Sequence, residues 1–453
     1  MKLFGTDGVR GAFGDYPMDN ETIKKIGFSI SQVLCQKVQN IYIGHDGRES
    51  FKSIYENLIQ GILYNSKYNI NFLGLIPTPA IPYILSTRKM NDSIGIQITA
   101  SHNPYTDNGI KIFNSDGYKI SSDDEKLIEK TVSSTDIFQN IVTCSYSIDS
   151  ASTEIYLDYL SGKVDGNIDS SKTINIAIDC SNGSISNIFS NLNIKSNLSF
   201  QIFNNCPDGR NINYNCGAVY PETLSEYIIN NNSKYKEHDA EWIDFGIAFD
   251  GDGDRSILVS NSGRIIDGDE ILYILAKDYH VNNKVVVGTV MTNYGIRSAL
   301  NKLGYSFIET DVGDKYVLEQ VIENNAIIGA ESSGHVVHND ITSIAIGDAA
   351  TTLIKIAHLI QKTNLSIDEI YPRSIKVPSS LINIPVSDKD TWIENNQNII
   401  NKIKEILNGN GRILSRASGT QQLIRILIEH ESKDVLNEAE KLIMDKLYLW
   451  KKL

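Results

Sequence analysis

The sequence predicts an α/β protein of three or four domains, because the chain is long and because strand and helix patterns alternate along most of it. Its 453 residues are too many for one hydrophobic core. Short apolar runs of strand length recur, and helical patterns follow some of them, which is typical of parallel α/β layers. The predicted strands are 41–44, 71–76, 94–98, 174–179, 245–249, 284–288 and 326–329, and the predicted helices are 51–63 and 293–303.

The last eighty or so residues predict an α+β unit instead, which we expect to form a separate small domain. Its predicted strands are 374–377, 411–415 and 423–429, and its predicted helices are 392–407 and 433–447. Polar stretches at 145–152, near 260–263 and at 363–372 are candidate boundaries. They divide the chain into domains of residues 1–150, 151–259, 260–368 and 369–453.

Composition is that of a globular protein, with 41% hydrophobic and 21% charged residues. No apolar run reaches the roughly 18 residues of a membrane span, and the first residues lack the apolar core of a secretion signal. Five scattered cysteines without a CxxC pair argue against a disulfide framework and against a zinc site. The net charge of −13 disfavours nucleic acid and anionic membranes as general partners. We therefore expect a cytoplasmic protein that concentrates positive charge locally if it binds an anion.

A serine turn follows the predicted strand at 94–98. Ser101 stands beside His102 and shortly before Pro104, which ends strand pairing, so we expect the serine on a rigid turn at the surface. That placement suits a nucleophile or a covalent group carrier. It also suits a helix-capping or turn serine, and the stretch 99–104 taken alone favours this second interpretation.

An acidic loop, Asp250-Gly-Asp-Gly-Asp-Arg255, directly follows the predicted strand at 245–249. Its carboxylates repel one another unless a cation neutralises them, and the glycines leave the backbone free to curl. A hard divalent cation is expected, and Mg²⁺ fits best where a phosphate completes the coordination. An EF-hand is excluded, because Arg255 and Asn261 stand where it needs Gly and Glu. A solvated acidic turn is the alternative.

A third polar loop follows the predicted strand at 326–329. Its Glu331 and Ser333 can bind sugar hydroxyls, and His335 can act as an acid or a base near neutral pH. Taken alone, this loop is a weak indication of function, because Glu and His are common in ordinary Gly/Ser loops.

A fourth loop lies between the last two predicted strands. Arg416 and Arg425 flank a Ser-Gly-Thr turn whose hydroxyl and backbone N–H groups favour a phosphate dianion. A turn with surface arginines is the alternative. Together, however, the four loops supply a group carrier, a metal loop, a hydroxyl-binding loop and an anion cradle, and phosphoryl transfer on a sugar phosphate uses all of them.

In these loops and in further motifs, the chain resembles the α-D-phosphohexomutases nearly end to end, and among them the bacterial phosphoglucosamine mutases. The opening Phe4-Gly-Thr-Asp-Gly-Val-Arg-Gly11 is similar to that subfamily's first motif. Asn211-Ile-Asn213 with Cys216-Gly217, and the stretch 312–317, also resemble the subfamily. The loops at 99–104, 250–255, 331–335 and 416–425 resemble the superfamily's phosphoserine, metal, sugar and phosphate loops.

The resemblance implies a heart-shaped, four-domain fold with three similar mixed-sheet α/β domains, a smaller α+β C-terminal domain and a central cleft. It implies interconversion of glucosamine 6-phosphate and glucosamine 1-phosphate through a phosphoserine and a 1,6-bisphosphate, with Mg²⁺, on the route to UDP-N-acetylglucosamine and peptidoglycan. The implied metal ligands are Ser101, Asp250, Asp252 and Asp254. The implied catalytic residues are Ser101, His102, Lys111, Arg10 and His335. The implied substrate-binding residues are Glu331, Ser333, Arg416, Ser418, Gly419, Thr420 and Arg425.

Several alternatives stay open from the sequence. Mannose or glucose phosphate could be the substrate of the same mechanism, or the chain could be a non-catalytic sugar-phosphate sensor or a metal-dependent phosphatase. A monomer and a homodimer are equally compatible with the sequence. Gln421-Gln422 replaces the usual Glu-Pro of the phosphate loop, and Ala349 replaces the second Gly of a Gly-Asp-Gly. We expect phosphate binding to survive the first change and the second to alter only local backbone geometry.

Overall fold

The structure, a computed structural model, describes residues 2–5, 7–34, 38–64, 67–88, 92–136, 147–164, 173–192, 197–237, 239–279, 282–339, 344–417 and 422–450. The chain divides into two compact units. The first comprises Met1–Val290 with Ile308–Ile370, and the second comprises Met291–Phe307 with Tyr371–Leu453. Among the described residues, none of the helices combines the length and the apolar character needed to span a bilayer.

The first sheet has the strand order β1-β5-β4-β2-β3. Its central pairs, β2 with β3 and β2 with β4, are parallel, whereas β5 pairs antiparallel with both β4 and β1. The elements are β1 (Val9–Ala12), α1 (Asn20–Val33), β2 (Asn40–His45), α2 (Phe51–Ile62), β3 (Asn69–Leu75), α3 (Ala80–Arg88), β4 (Ser93–Ile98), β5 (Asp107–Phe113) and α4 (Ser122–Ser134).

The second sheet repeats this pattern in the order β10-β9-β8-β6-β7. Strand β6 pairs parallel with β7 and β8, and β9 pairs antiparallel with β8 and β10. The elements are α5 (Ser150–Val164), β6 (Ile174–Asp179), α6 (Ile188–Asn191), β7 (Leu198–Phe203), α7 (Pro221–Asn232), β8 (Phe245–Phe249), β9 (Ser256–Ser260) and β10 (Ile265–Ile266). Because β10 belongs to this sheet, the sheet extends past residue 259, where the sequence places a domain boundary.

The third sheet has the order β12-β11-β13-β14-β15, again with a parallel pair (β11 with β13) beside antiparallel ones. Its strands are short, and the cores of all three sheets are built from buried aliphatic side chains. The elements along this stretch of the chain, of which α9 belongs to the second unit, are α8 (Gly268–Asp278), β11 (Val285–Thr289), α9 (Tyr294–Lys302), β12 (Ser306–Thr310), α10 (Asp314–Glu323), β13 (Ile328–Ala330), β14 (Val336–His338), β15 (Ile346–Gly347), α11 (Ala349–Thr363) and α12 (Ile367–Ile370).

The second unit contains a smaller antiparallel sheet in the order β16-β18-β17. Helix α9 belongs to this unit, because Asn293 at its start donates hydrogen bonds to the Val377 carbonyl (3.1 Å) and to Glu429 (2.9 Å). The remaining elements are β16 (Ser379–Pro385), α13 (Lys389–Asn395), α14 (Gln397–Leu407), β17 (Gly411–Ala417), β18 (Leu423–His430) and α15 (Lys433–Trp450).

The predicted fold class is confirmed: three mixed-sheet α/β domains precede a smaller α+β domain. Two details of the C-terminal prediction are wrong. Residues Arg373–Ile375 form a 3₁₀ helix, and the strand begins at Ser379, where pairing with β18 becomes continuous. The helix predicted at 392–407 is two helices, because the Asn396 side chain and backbone N–H both bond the Trp392 carbonyl and end the first one.

The sheets of the first unit place polar loops at the carboxyl ends of their parallel strands. The loop after β2 begins at Asp46, the loop after β4 contains Ser101, and the loop after β8 contains Asp250. The loop after β13 begins at Glu331. In open α/β sheets this edge is where ligands bind, so these loops form the candidate site.

His45, at the end of β2, makes the stability of the first sheet sensitive to acid. Its ring stacks on Phe51 with centroids 3.8 Å apart, and its Nδ1 accepts a hydrogen bond from the Gly47 N–H. Burial lowers the pKa of His45 to about 3. The unfolded chain, with a pKa near 6.5 for this group, binds the proton first as pH falls, so folding free energy is lost below about pH 6.5 and until about pH 3.

We expect His45→Phe to remove this contribution. Between pH 6 and 4 the wild type should lose about 1.4 kcal/mol per pH unit from this one group, and the variant should not. Thermal unfolding midpoints recorded over that pH range give the comparison. Parallel pH profiles for the two proteins would contradict the assignment.

Candidate active site

Ser101 lies in the turn between β4 and β5 with a left-handed backbone, φ 51°. Its N–H donates to Thr99 Oγ1 at 2.8 Å, and its Oγ donates to Asp250 Oδ2 at 2.6 Å. The side chain is fully buried rather than at the surface, because the loop after β8 of the neighbouring sheet covers it. A non-glycine residue in this conformation carries strain that only its surroundings can maintain, and such residues concentrate at functional sites.

A buried ion pair provides those surroundings. Arg48 Nε donates to Asp46 Oδ2 at 2.8 Å, and neither side chain is exposed. Thr99 Oγ1, which receives the Ser101 N–H, donates to the same Asp46 oxygen at 2.6 Å. The guanidinium also donates to the backbone carbonyls of Ser101, Asn103, Pro104 and Asp107. One arginine thus fixes the whole serine turn.

The acidic loop after β8 forms a compact group of carboxylates. The loop is closed by Asp250 Oδ1, which accepts from the N–H groups of Gly253 (3.1 Å) and Arg255 (3.2 Å). Thr78 braces it by donating its Oγ1 to Asp252 Oδ2 at 2.6 Å. All three aspartates are buried, and one ligand oxygen from each lies within 4.8 Å of the others: Asp250, Asp252 and Asp254.

These carboxylates fit a hard divalent cation. Asp252 Oδ1 is buried and has no hydrogen-bond partner among the described residues, and buried Asp254 Oδ1 has only long ion-pair contacts, with Arg255 at 3.8 Å and His335 at 3.9 Å. An unpaired buried carboxylate oxygen is costly, and a metal ion with oxygen ligands removes that cost. Burial, together with the neighbouring Asp252 and Asp254, raises the pKa of Asp250 well above its usual range, and a bound cation would reverse that shift.

Lys111 is the counterion of this acidic group. Its Nζ lies 2.8 Å from Asp252 Oδ2, 2.7 Å from Asp254 Oδ2 and 3.0 Å from Asp7 Oδ2. Burial alone would lower the pKa of Lys111, but the three carboxylates raise it well above its usual range. Burial would likewise raise the pKa of Asp254, and Lys111 is the main group that holds it well below. The pKa shifts of Lys111 and Asp254 therefore both favour the charged forms.

Two further cationic side chains contact Asp7, which lies in the chain's opening motif. Arg10 Nη2 donates to Asp7 Oδ2 at 2.8 Å, and Lys119 Nζ lies 2.5 Å from Asp7 Oδ1. Lys119 also pairs with Asp314 at the start of α10. Asp7 thereby joins Arg10 and Lys111, two of the predicted catalytic residues, into one network.

The two predicted catalytic histidines have different surroundings. His102 Nδ1 lies 3.4 Å from Ser101 Oγ, and burial with the nearby Arg255 and Arg10 lowers the pKa of His102 to about 4. His335 is buried with Nδ1 3.9 Å from Asp254 Oδ1. Burial would lower the pKa of His335, but Asp254 outweighs it and raises the pKa.

The loop after β13 meets the acidic loop directly. Gly334 O accepts the Ser256 N–H at 3.0 Å, and Arg255 and His335 form a β-bridge. Glu331 is buried, with its Oε1 accepting the Gly313 N–H at 2.9 Å, whereas Ser333 is exposed. The metal and sugar loops predicted from the sequence are therefore one connected structure.

In the second unit, Arg416 on β17 stands directly opposite Arg425 on β18 in the antiparallel ladder. Like charges placed opposite one another destabilise a sheet, so this pair suits an anion between them. The three remaining predicted residues of this loop lie outside the described residues: Ser418, Gly419 and Thr420.

The structure brings together within the first unit the predicted residues Ser101, His102, Lys111, Arg10, His335 and the three aspartates. Four residues that hold them in place were not predicted from the sequence as site residues. Asp46 and Arg48 follow a predicted strand in a polar turn, the same signal that marks the other loops. Thr78 stands between two prolines, a pattern that indicates no specific function. Asn213 lies in a motif that resembles the subfamily but suggested no role for this residue.

Comparison with known proteins agrees with the four-domain fold and identifies the family. Sequence profiles of the phosphoglucomutase/phosphomannomutase family match four successive segments, alpha/beta/alpha domains I, II and III at residues 1–137, 154–263 and 267–377 and the C-terminal domain at 381–446. A phosphoglucosamine mutase of Staphylococcus aureus (strain Newman) is 36% identical over 468 aligned positions, which cover 99% of this chain and 99% of that protein.

Solved structures share the fold. A phosphoglucomutase/phosphomannomutase family protein of Burkholderia thailandensis superposes with a TM-score of 0.76 at 19% identity, covering 98% of this chain and 97% of that one. An Aspergillus fumigatus N-acetylphosphoglucosamine mutase in complex with GlcNAc-6P and magnesium gives 0.62 at 15% identity, covering 97% and 94%. At such identities these likenesses concern the fold alone.

Arg48→Lys should loosen the serine turn although it keeps the charge. A lysine ammonium has no planar fork and cannot serve Asp46 and several carbonyls at once. We expect a loss of about 3 kcal/mol in the free energy of unfolding of the first unit, because buried acceptors lose their donors. Urea unfolding measures it. A change indistinguishable from that of the exposed Lys130→Met would contradict this account.

Lys111→Met should make stability depend on a divalent cation. Without the ammonium, the buried carboxylates lose their main counterion, and only a metal ion can replace it. Melting temperatures in EDTA and in Mg²⁺ should differ far more for the variant than for the wild type. Lys130→Met, at an exposed position, is the control. Equal Mg²⁺ stabilisation in all three proteins would disprove the counterion role.

Proposed function

Because this chain belongs to the phosphoglucomutase/phosphomannomutase family, whose members are sugar-phosphate isomerases, we propose that it interconverts D-glucosamine 6-phosphate and D-glucosamine 1-phosphate. The full-length likeness to a phosphoglucosamine mutase supports the amino sugar. The observation that carries the chemistry is the 2.6 Å contact of Ser101 Oγ with Asp250 beside the buried carboxylates and Lys111.

Ser101 would carry the phosphoryl group in two opposite transfers. In the first, the 1-hydroxyl of glucosamine 6-phosphate attacks phosphorus, so a new O–P bond forms while the bond from Ser101 Oγ breaks. The hydroxyl releases one proton and the serine oxygen takes one up, which leaves a 1,6-bisphosphate. That intermediate turns over, and its 6-phosphate returns to Ser101 by the reverse bond changes. Glucosamine or glucose 1,6-bisphosphate would therefore prime and activate the enzyme.

Mg²⁺ would be held by the three aspartates and by the group on Ser101. When bound, the ion supplies positive charge against the negative charge that builds on the transferring phosphoryl group and the serine oxygen. Lys111 and Arg10 would supply positive charge to the phosphate oxygens. Both cations are already fixed by Asp7, so little reorganisation is needed when phosphate enters.

The proton transfers need two positioned groups. We assign the proton at Ser101 Oγ to His102, whose Nδ1 lies 3.4 Å away. We assign the proton of the attacking sugar hydroxyl to His335, because it belongs to the loop that carries Glu331 and Ser333. Those two residues would bind sugar hydroxyls or the amine.

The phosphate that is not reacting would bind the loop of the second unit. Its proposed ligands are Arg416, Ser418, Gly419, Thr420 and Arg425. The opposed arginines support this role, because a phosphate dianion relieves their repulsion. Since the arginines are retained, Gln421-Gln422 in place of the usual Glu-Pro should affect orientation more than affinity.

The enzyme would act in the cytoplasm, because charged sugar phosphates do not cross the apolar core of a membrane unaided. Its product would supply UDP-N-acetylglucosamine and peptidoglycan precursors. Phosphomannomutase or phosphoglucomutase activity by the same mechanism is the second candidate, since the family profiles carry those names.

Covalent phosphate on Ser101 tests the mechanism. After incubation with glucose 1,6-bisphosphate and Mg²⁺, intact mass should show one phosphoryl group on the wild type and none on Ser101→Ala. Ser133→Ala, at an exposed helical position, should still be phosphorylated. A wild type that never gains the group would favour a sensor, and net release of inorganic phosphate would favour a phosphatase.

A coupled assay tests the substrate. Glucosamine, glucose and mannose 6-phosphates are compared at equal concentrations of priming bisphosphate, with kcat/KM as the measure. We expect glucosamine 6-phosphate to be the best substrate, because the relative named for it is similar along the whole chain. A large preference for glucose or mannose phosphate would reject the amino-sugar assignment and keep the mutase.

A further inference from the structure

The serine turn receives hydrogen bonds from two different parts of the first unit. Arg48 Nη2 donates to the carbonyls of Ser101 and Asn103, both at 2.9 Å. Asn213 Nδ2 donates to the same two carbonyls, at 2.8 and 3.2 Å. Arg48 follows β2 of the first sheet, whereas Asn213 lies between β7 and α7 of the second. Each carbonyl, with two lone pairs, is thus fully satisfied.

Asn213 is itself held in a fixed place. It is buried with a left-handed backbone, φ 57°, which asparagine tolerates better than most residues. Its N–H donates to the Ser181 carbonyl at 2.9 Å. A Cβ atom added at Gly251 of the acidic loop would lie 2.7 Å from Ser101 O and 2.9 Å from Asn213 Nδ2. The amide therefore sits where the serine turn and the acidic loop meet.

A second contact ties the same stretch of chain to the first sheet. Arg210 pairs with Glu49 through two hydrogen bonds of 2.8 and 2.7 Å, and the Glu49 N–H donates to Gly209 O at 2.8 Å. Glu49 directly follows Arg48. Residues 209–213 therefore touch both turns that build the phosphorylation site, one at the exposed rim and one at the buried centre.

We propose that Asn213 is a positioning residue for phosphoryl transfer. It fixes the Ser101 carbonyl, and with it the left-handed backbone that aims Oγ at Asp250, from the sheet that also carries the acidic loop. This inference rests on the proposed phosphoserine function. Since reacting groups must be aligned to within a fraction of an ångström, a looser turn slows transfer without weakening substrate binding.

The chemistry of the amide explains why asparagine suits the position. Its single –NH₂ group offers two donors, one for each carbonyl. Aspartate has the same shape and backbone preference but would set a carboxylate oxygen against two carbonyl oxygens. Glycine keeps the left-handed backbone and removes both donors. Because Arg48 still binds both carbonyls, either variant leaves the turn partly held.

Asn213→Asp and Asn213→Gly test the proposal, with Asn215→Asp as the matched control. Asn215 lies in the same loop, has a left-handed backbone (φ 52°) and is exposed. We expect kcat to fall about ten- to hundredfold in both Asn213 variants, with KM for the sugar phosphate within about twofold of wild type. The control should match wild type in both constants. Deuterium exchange at residues 99–107 should be faster in the Asn213 variants only.

Wild-type kcat in Asn213→Gly, or a rise in KM at unchanged kcat, would overturn the proposal. Where Asn213→Asp does not fold, Asn213→Gly decides, because it adds no charge and keeps the backbone. Failure of the proposed function is separate: a wild type that is never phosphorylated by bisphosphate rejects the phosphoserine role. Deuterium exchange then still decides whether Asn213 holds the turn, and unchanged exchange rejects it.

Discussion

The buried Asp46–Arg48 ion pair is the constraint on which the site depends. Two charges without solvent contact are tolerated only when their remaining donors and acceptors are satisfied, and here they are satisfied by the serine turn. The guanidinium therefore cannot be stable without the turn, nor the turn's left-handed Ser101 without the guanidinium. The serine is positioned through its backbone, and its Oγ contacts Asp250 at 2.6 Å and His102 Nδ1 at 3.4 Å. This arrangement suits the group carrier proposed above, since the oxygen of such a carrier must be alternately loaded and released.

Charge balance explains how an acidic protein can handle phosphate. The chain carries a net charge of −13, yet lysine and arginine side chains are concentrated around Asp7 and the acidic loop. Lys111 and Lys119 are both held there by carboxylates. Against the effect of burial, the carboxylates raise the pKa of both lysines, and Lys111 in turn lowers the pKa of Asp7 and Asp254. An incoming phosphate then meets fixed positive charge, while the rest of the surface repels polyanions.

Much of the fold and of the candidate site could be predicted from local sequence patterns. The features that depend on long-range contacts could not. The strand at 245–249 has the bounds that its apolar run predicts, and the polar loops after the strands lie where expected. The contacts of Arg48 and Asn213 with the serine turn could not be predicted, because these partners are distant in sequence. The strand predicted at 374–377 was wrong for the same reason, since pairing with β18 sets the strand's start. The grouping of 291–307 with the C-terminal unit likewise depends on contacts with Val377 and Glu429. Domain boundaries and residue roles stay predictions.

Residues from more than one sheet build the site, and the residues that hold Ser101 differ from those predicted to contact the sugar. Ser101 comes from the first sheet, while Asp250 and Asn213, which both contact it, come from the second. Neither sheet alone therefore positions this serine. The sugar loop joins this assembly through backbone contacts, Gly334 with Ser256. Backbone contacts persist when side chains change. Under the proposed mechanism, exposed Ser333 could therefore vary to suit a different sugar without disturbing the serine turn, so that one phosphoserine mechanism would serve several hexose phosphates.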